Sequence, residues 1–432
     1  MEYTSVKRSL LLSLVMYGLV ILGFATLHGW LLILALPFML YLGVGYLNQP
    51  ETLQLKVSRT LGADRVVQGA PLVVKLTVVN EGPALENLLL EDLIPPGLQV
   101  IDGNCRAITA LQPGQTVELA YTLRGRRGLY WLPGVRATAS DHLGLFEKQV
   151  ELELPNQVFV LPPVHRLPQV AIRPQRTRVF AGLIPARKGG PGVDFFGVRE
   201  YQPSDPLRWI NHRASARHSQ ALFVNEFEQE RAADVGLILD TRHATNLYAD
   251  RNSMLEYAIE ATATLADAFL SRGNRVGLFI YGGGIDWTFP GYGKIQRERI
   301  LQALSRARLQ KSLVFEKLSY LPTRLFPLRS QLVLVSPLRS TDLADLVALR
   351  ARGYQLLVIS PDPIAFEKKI LEDDPHVDLA ARIARLEREG LFHQLQQVGV
   401  RIFEWQVSTP FHQIARHALR RVPFWSHDPR GR

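Results

Sequence analysis

The chain has 432 residues, of which 47% are hydrophobic and 21% charged, so it can bury hydrophobic cores and is too long for one average domain. Its formal net charge is +10 at pH 7, but Lys and Arg form no run of five, so basicity alone does not indicate nucleic-acid binding. The lone Cys105 excludes an internal disulfide.

The first feature along the chain is an uncharged segment, residues 9–50, which contains no Asp, Glu, Lys or Arg. One membrane-spanning helix needs about 20 apolar residues, and this segment is about twice that length, with a break near residues 26–29. It predicts a transmembrane helical hairpin within residues 1–50, with helices at about 9–27 and 29–47 in a lipid bilayer. A cleaved signal peptide and a buried soluble hairpin are the alternatives, and the second apolar run argues against the signal peptide.

The charges around this hairpin predict its orientation. Lys7 and Arg8 precede the first helix, whereas the turn offers only His28. Because excess positive charge stays in the cytoplasm, and two crossings return the chain to its starting side, we expect the soluble part to face the cytoplasm.

Residues 51–163 have the pattern of an all-β domain. Short segments, several with alternating hydrophobic and polar residues, are separated by turns rich in Gly, Pro and Asn. This spacing predicts a β-sandwich, which we interpret as a spacer or docking module.

Two further regions follow. Residues 164–233 are predicted to be a connector followed by a charged segment. The connector composition begins at residue 162, and residues 162–187 are rich in Pro, Arg and Val, which indicates extended chain. In residues 234–432 apolar strands alternate with amphipathic helices about five times, which predicts an α/β domain with a doubly wound, mostly parallel sheet.

Polar residues end three of the predicted parallel strands. Asp240 ends the first of them, and Ser336 and Ser360 end two others. Ligands bind beyond the carboxyl ends of such strands, although a lone Asp there often only caps a helix or holds a loop.

Catalytic and cofactor motifs find no support in the sequence. Residues 291–294 read GYGK, but they lack the upstream glycine of a phosphate loop, and Ile295 occupies the hydroxyl position. There is also no HExxH, paired CxxC or GxSxG sequence. The sequence therefore predicts a protein that is not an enzyme and that has no cofactor.

The densest polar segment, residues 193–231, interleaves opposite charges. Glu226, Glu228 and Glu230 are two residues apart, so on a strand they share one face. The segment is open to three interpretations, which are a structural ion-pair network, a partner-docking surface and a catalytic site. The charged residues before those glutamates are Asp194, Arg199, Glu200, Asp205, Arg208, Arg213 and Arg217.

This segment resembles the hallmark motif of a bacterial family, domain-of-unknown-function family 58. The motif positions that match are Gly192, Asp194, Phe195, Gly197, Arg199, Tyr201, Pro203, Asp205, Arg208, Ile210, Ala216 and Arg217. Ser204 replaces the usual Gly and His212 the usual Trp, and the resemblance extends to residues 124–148 and 289–304. It implies a von Willebrand factor A-like domain behind a membrane hairpin and a β-domain, in the bacterial inner (cytoplasmic) membrane.

The resemblance also bears on metals and partners. Domains of this type often bind a divalent cation through D-x-S-x-S, but here Arg242 and Ala244 replace both hydroxyl residues after Asp240, so we expect a degenerate site without metal. Similar proteins accompany MoxR-type AAA ATPases, which implies such an ATPase as the partner.

Two hypotheses of different classes follow. The first is a membrane-anchored, non-enzymatic scaffold that docks its partner through the face around Asp240 and the Arg199–Arg217 segment. The residues assigned to partner binding are Arg199, Tyr201, Asp205, Arg208, Arg213, Arg217 and Asp240. The second is a metal-assisted hydrolase that uses the carboxylates of Asp194, Asp205 and Asp240. Nucleic-acid binding ranks last, and our prediction is that none occurs.

Overall fold

A computed structural model of the chain describes residues 2–47, 53–141, 144–168, 170–172, 177–218, 221–249, 252–282, 284–309, 318, 325–368, 370–371 and 374–420. Within these ranges, only the backbone is described for residues 2–8, 177–194, 228–231, 248–249 and 252. The chain divides into two compact units, residues 1–161 and residues 162–432.

The first unit begins with two apolar helices, α1 (Glu2–Thr26) and α2 (Gly29–Leu47). The turn between them places Leu27 at a φ of 52°, and the helices approach closely at Gly23, where a Cβ would lie 2.8 Å from Leu32 Cδ2. Both helices are long and apolar enough to cross a membrane, with mean hydropathies of 2.1 and 2.0 over residues 9–26 and 29–47. The prediction of two apolar helices is confirmed, and the first helix begins earlier than expected.

The rest of the first unit is built from strands. In chain order these are β1 (Leu55–Leu61), β2 (Arg65–Val67), β3 (Leu72–Asn80), β4 (Leu85–Asp92), β5 (Leu98–Gly103), β6 (Arg106–Leu111), β7 (Thr116–Gly125), β8 (Gly128–Ser140) and β9 (Glu147–Leu161). One sheet has the order β1-β3-β7-β5 and the other β2-β9-β8-β4-β6, and of the paired neighbours only β2 and β9 are parallel. Two hydrophobic clusters each combine side chains from both sheets, because the alternating residues of strands such as β3 point inward.

A charged pair is buried between these strands. Arg59 on β1 contacts the carboxylate of Asp92 at the end of β4, and neither side chain is exposed to solvent. The Arg59 guanidinium also donates to the backbone oxygens of Leu132 and Leu154, at 3.3 and 2.9 Å. The Tyr121 hydroxyl donates to the same carboxylate. This network satisfies polar groups that would otherwise be buried without partners.

The second unit contains a mixed sheet and helices. Its strands are β10 (Thr177–Glu200), β11 (Phe223–Asp240), β12 (Tyr248–Ala249), β13 (Asn252–Ser253), β14 (Arg275–Tyr281), β15 (Asp286–Gly291), β16 (Gln331–Val335), β17 (Gln355–Pro361) and β18 (Arg401–Trp405). Its α-helices are α3 (His212–Ser215), α4 (Met254–Leu270), α5 (Gly293–Arg306), α6 (Asp342–Ala351), α7 (Pro363–Glu367), α8 (Pro375–Gln397) and α9 (Phe411–Ala418). Two short 3-10 helices cover Leu207–Trp209 and His243–Thr245.

The main sheet has the order β15-β14-β11-β16-β17-β18. Strands β14, β11, β16, β17 and β18 are parallel, whereas β15 pairs with β14 in the antiparallel sense. Side chains of α6 and α8 share one hydrophobic cluster with the central strands, and α4 lies against β11 and β14. The parallel core agrees with the alternation of apolar strands and helices in the sequence, and the antiparallel strands make the sheet mixed.

The N-terminal half of β11 extends beyond the parallel strands and pairs with β10. The antiparallel pairing runs from Thr177 opposite Ala233 to Glu200 opposite Phe223, and several register shifts interrupt it. Residues 177–187, which we predicted to be extended connector, therefore belong to a β-arm. We call residues 195–218 and 221–222 the arm tip.

Candidate functional site

The carboxyl ends of β11 and β16 bring two of the sequence-predicted residues together. The Ser336 hydroxyl donates to Asp240 Oδ2 at 2.7 Å, and both side chains are buried, with Asp240 4% exposed. Ser336 also accepts a hydrogen bond from the backbone NH of Leu338 at 3.1 Å. Asp240 is thus held in place from the neighbouring strand.

Arg242 provides the positive charge beside Asp240. Its backbone NH donates to Asp240 Oδ1 at 2.9 Å, and its guanidinium donates to both carboxylate oxygens at 2.8–3.2 Å. The same guanidinium forms a bidentate pair with Asp342, at 2.7 and 2.8 Å. Arg242 is 3% exposed, so one buried cation lies between two buried carboxylates. Such bidentate, charge-assisted hydrogen bonds are among the strongest in proteins.

The surroundings of Arg242 keep it protonated. Burial by itself would lower its pKa, but the hydrogen bonds to Asp342 and the charge of Asp240 outweigh that effect and raise the pKa. The Tyr281 ring centroid lies 5.3 Å from the guanidinium carbon, within the range of a cation–π contact. Burial raises the pKa of Tyr281 well above its ordinary value, and the nearby Asp240 charge adds to this.

Backbone geometry helps to enclose this group. Gly282 follows β14 with a φ of 138°, and a Cβ at this position would collide with the backbone of Thr241 and Arg242. A glycine here lets the two loops approach each other. The arrangement of Asp240, Arg242, Ser336 and Asp342 is therefore a closed set of polar groups, which we call the Arg242 cluster.

The expected degenerate metal site coincides with the Arg242 cluster. The structure places the Arg242 guanidinium against Asp240, and Ala244 is an exposed residue with no hydroxyl group. That the site takes no metal stays a prediction. Our assignment of Asp240 to the docking face needs correction, because its carboxylate is buried and its bonds go to Arg242 and Ser336.

Sequence reasoning missed a second guanidinium at this edge of the sheet. Arg388 on α8 donates to the Ser360 hydroxyl at 2.8 Å and to the backbone oxygen of Pro337 at 2.6 Å, and it pairs with Glu404 at 2.9 Å. It borders an open cleft of about 310 Å³. No local motif reveals Arg388, which occupies an ordinary position in an amphipathic helix.

The arm tip is shaped by its own hydrogen bonds. Arg199 forms a bidentate pair with Asp205 at 2.7 and 2.6 Å, and Asp205 also accepts from the backbone NH of Gln202 at 2.8 Å. The Arg199 guanidinium holds the pKa of Asp205 below its ordinary value, and the Gln202 hydrogen bond adds to this. Arg199 further contacts Glu226 on β11 at 3.4 Å. This part of the charged segment is therefore an ion-pair network.

Other residues of the arm tip fold it back onto β11. The Asn211 side chain caps α3 by accepting from the NH of Ala214 at 2.9 Å, and Ser215 Oγ accepts from the NH of Phe223 at 2.8 Å. Half-buried Tyr201 donates its backbone NH to the carbonyl of Leu222 at 2.8 Å. These bonds give a chain segment without long regular structure a defined shape.

Three arginines of the charged segment are exposed on the arm tip. Arg208, Arg213 and Arg217 form no ion pair with the residues that the structure describes. Exposed apolar side chains accompany them, with Phe195 63% and Leu207 72% exposed. The tip thus combines exposed positive charge with apolar surface.

The structure separates the arm tip from Asp240. Strand β11 has 18 residues, and at about 3.3 Å per residue it spans roughly 55 Å between Phe223 beside the tip and Asp240. Asp240 therefore lies at the opposite end of β11 from the Arg199–Arg217 segment, and docking through the predicted residues stays a prediction. Asp205 and Asp240, two carboxylates of the hydrolase hypothesis, do not come together, and the side chains of Asp194, Glu228 and Glu230 lie outside the described residues.

The family match with known proteins lies within the second unit. Residues 197–361 match the family described as "Protein of unknown function DUF58". The chain is 31% identical over 260 residues to the "Uncharacterized protein YeaD" of Bacillus subtilis (strain 168), an alignment that covers 59% of this chain and 62% of that protein. The chain thus spans about three-fifths of this relative's length.

Solved structures with local similarity include a FixG-related protein from Vibrio parahaemolyticus, with 14% identity, a TM-score of 0.16 and coverage of 24% of this chain and 95% of the other. The sporulation control protein Spo0M from Bacillus subtilis has 16% identity and a TM-score of 0.16, covering 26% of this chain and 50% of the other. Similarity at this level supports no statement about function.

Proposed function

We propose, from the DUF58 match of residues 197–361, that this chain is a membrane-anchored, non-enzymatic interaction protein whose arm tip binds the partner. The observation that carries the proposal is the exposure, beside apolar side chains, of Arg208, Arg213 and Arg217, which form no ion pair within the described part of the chain. Arginine and aromatic residues dominate the binding energy of many protein interfaces. A partner with an acidic rim around an apolar groove fits this surface.

The Arg242 cluster supports a scaffold rather than a hydrolase. Its two buried carboxylates are both paired with one guanidinium, and Asp240 also accepts a hydrogen bond from Ser336, whereas a catalytic carboxylate needs access to substrate or water. The cluster instead joins β11 to β16 and α6 and stiffens the sheet to which the arm belongs. This role suits a rigid carrier of a binding surface.

The proposed domain types and the proposed partner rest on the family resemblance. The parallel sheet with helices is in keeping with a von Willebrand factor A-like domain, and the two sheets of the first unit with a β-sandwich. The resemblance favours a MoxR-type AAA ATPase as the partner, acting with this chain in the assembly or maturation of membrane or envelope complexes. Such an ATPase would supply the nucleotide chemistry.

Charge reversal on the arm tip tests the docking proposal. We expect R208E/R213E/R217E to reduce binding of the full-length chain, in detergent, to the purified MoxR-type ATPase of the same organism by about tenfold or more, because truncating an interfacial arginine often costs about 2 kcal/mol. The matched control is R382E, on an exposed arginine of α8. Equal binding by wild type, the triple variant and R382E would refute docking through the tip.

The orientation of the soluble part has its own test. We propose that the chain lies in the bacterial inner membrane with the part that follows the helical hairpin on the cytoplasmic side. Trypsin is then expected to cleave it in inverted membrane vesicles and to leave it intact in right-side-out vesicles. Cleavage from the opposite side would contradict the orientation, and full-length chain in the supernatant of lysed cells would contradict the membrane anchor.

A further inference from the structure

Three side chains that could bind a metal ion meet in the second unit, away from the Arg242 cluster. His165 lies in the segment before β10, Glu260 lies on α4, and His412 lies in the first turn of α9. One ring nitrogen of each histidine and one carboxylate oxygen of Glu260 all lie within 4.8 Å of one another. His165 Nε2 is 3.1 Å from Glu260 Oε1.

The hydrogen bonds of these residues leave one histidine unsatisfied. His165 pairs with Glu260, but His412 Nδ1 is buried and has no hydrogen-bond partner among the residues that the structure describes. A buried polar atom of this kind calls for an explanation, such as an ion or an ordered water.

We propose that His165, Glu260 and His412 form a binding site for Zn²⁺ or a similar divalent transition-metal ion. Two imidazoles and one carboxylate are a ligand set that Zn²⁺ accepts, with a fourth position left to water. The side chains of His165 and Glu260 are 40% and 26% exposed, so an ion can enter from solvent.

The geometry requires a small rearrangement. At Zn–N and Zn–O distances of about 2.0–2.2 Å, ligand atoms in a tetrahedral site are about 3.3 Å apart. The His165–Glu260 separation of 3.1 Å already fits, whereas the stacked imidazoles, with centroids 4.1 Å apart, must rotate so that their nitrogens converge. The positive charge of Arg416 acts on His412 and would oppose the ion, which limits its affinity.

An ion at this site would join three elements that are distant in sequence. The segment that carries His165 is already held by an Arg272 contact to the Pro168 carbonyl, by Ala171 NH donating to the Leu419 carbonyl at 2.7 Å, and by Arg401 donating to the Ala171 carbonyl at 3.1 Å. A metal bound by His165, Glu260 and His412 would fasten the same segment to α4 and α9. We therefore assign the ion a structural role.

The test measures Zn²⁺ binding to the full-length chain, purified in detergent without a histidine tag and treated with chelator. Competition against a chromophoric chelator is expected to reveal one site whose dissociation constant rises at least tenfold in H165A, H412A and E260Q. The matched control H393A, on an exposed histidine of α8, is expected to bind like wild type. Zn²⁺ should also raise the melting temperature of wild type and of H393A, but not of H412A.

Cobalt substitution provides a readout that does not depend on variants. Co²⁺ at a four-coordinate site is expected to give intense visible absorption in the wild-type protein, and Zn²⁺ should displace it. The proposal is overturned if wild type binds no Zn²⁺ at micromolar concentrations, or if H165A and H412A retain the wild-type affinity. It is equally overturned if the Co²⁺ spectrum shows only the weak bands of an octahedral ion.

Discussion

Replacing Arg242 by methionine is expected to lower the free energy of unfolding of the second unit by about 3–5 kcal/mol, because it leaves two buried carboxylates without their cation. Asp240 and Asp342 both pair with this guanidinium, and all three side chains are almost fully buried. Methionine retains much of the side-chain volume, so the expected loss reports the charge rather than a cavity.

Hydrogen exchange of the full-length chain measures this effect within the second unit. The slowest amides of β11 and β16 report its free energy of unfolding, whereas a single melting temperature would mix the two units. The matched control is R382M, on an exposed arginine of α8, which is expected to leave exchange unchanged.

A charge-neutral combination separates electrostatics from packing. We expect R242M/D240N/D342N to recover most of the stability lost in R242M, because no buried charge remains unpaired. S336A is expected to cost less than R242M, about 1.5–3 kcal/mol, since it removes one hydrogen bond to a charged group. Wild-type exchange rates in R242M would contradict our account of the cluster.

Replacing Arg59 by methionine is expected to destabilise the first unit by a similar amount, about 3–5 kcal/mol. Asp92 would lose its cation inside the β-domain, and the carbonyls of Leu132 and Leu154 would lose a donor. Tyr121 would still donate to Asp92, because burial, aided by that hydrogen bond, raises the pKa of its hydroxyl and keeps it protonated. That single donor does not compensate for the missing charge.

Exchange at the amides of β3 and β8 measures the loss in R59M. The matched control R124M replaces an exposed arginine on β7 of the same unit, and its slow amides are expected to exchange as in wild type. The second unit provides an internal reference within each sample. Equal protection in R59M and R124M would show that the Arg59–Asp92 pair contributes little to stability.

The two buried arginines were not equally visible in the sequence. Arg242 stands two residues after Asp240 at the end of an apolar strand, so its proximity to that carboxylate could be predicted from local spacing. Its second partner, Asp342, lies 100 residues away and meets it only because β11 and β16 are neighbours in the sheet. Arg59 belongs to an alternating strand that gives no sign of a buried charge, and Asp92 lies 33 residues further on.

The β-arm illustrates a different difficulty. Residues 162–187 are rich in proline and arginine and lack a clear alternating pattern, so the sequence suggested extended chain without a partner. Pairing with β11 supplies the missing hydrogen bonds, and register shifts accommodate the irregular stretches. The same pairing places the motif arginines at one end of β11 and Asp240 at the other. The sequence does not show this separation, because the arginines and Asp240 belong to neighbouring segments of the chain.

Periodic and compositional signals in the sequence were sufficient to determine the two apolar helices, the strand-rich first unit and the alternation of strands and helices in the second. These features depend on where each residue must place its own apolar side chain, which is a local property of the chain. The partners of Arg59 and Arg242, the position of the arm tip and the meeting of His165, Glu260 and His412 were decided only by the tertiary structure. Each depends on which distant segments pack together, and the energy of a buried charge depends on all of its neighbours at once.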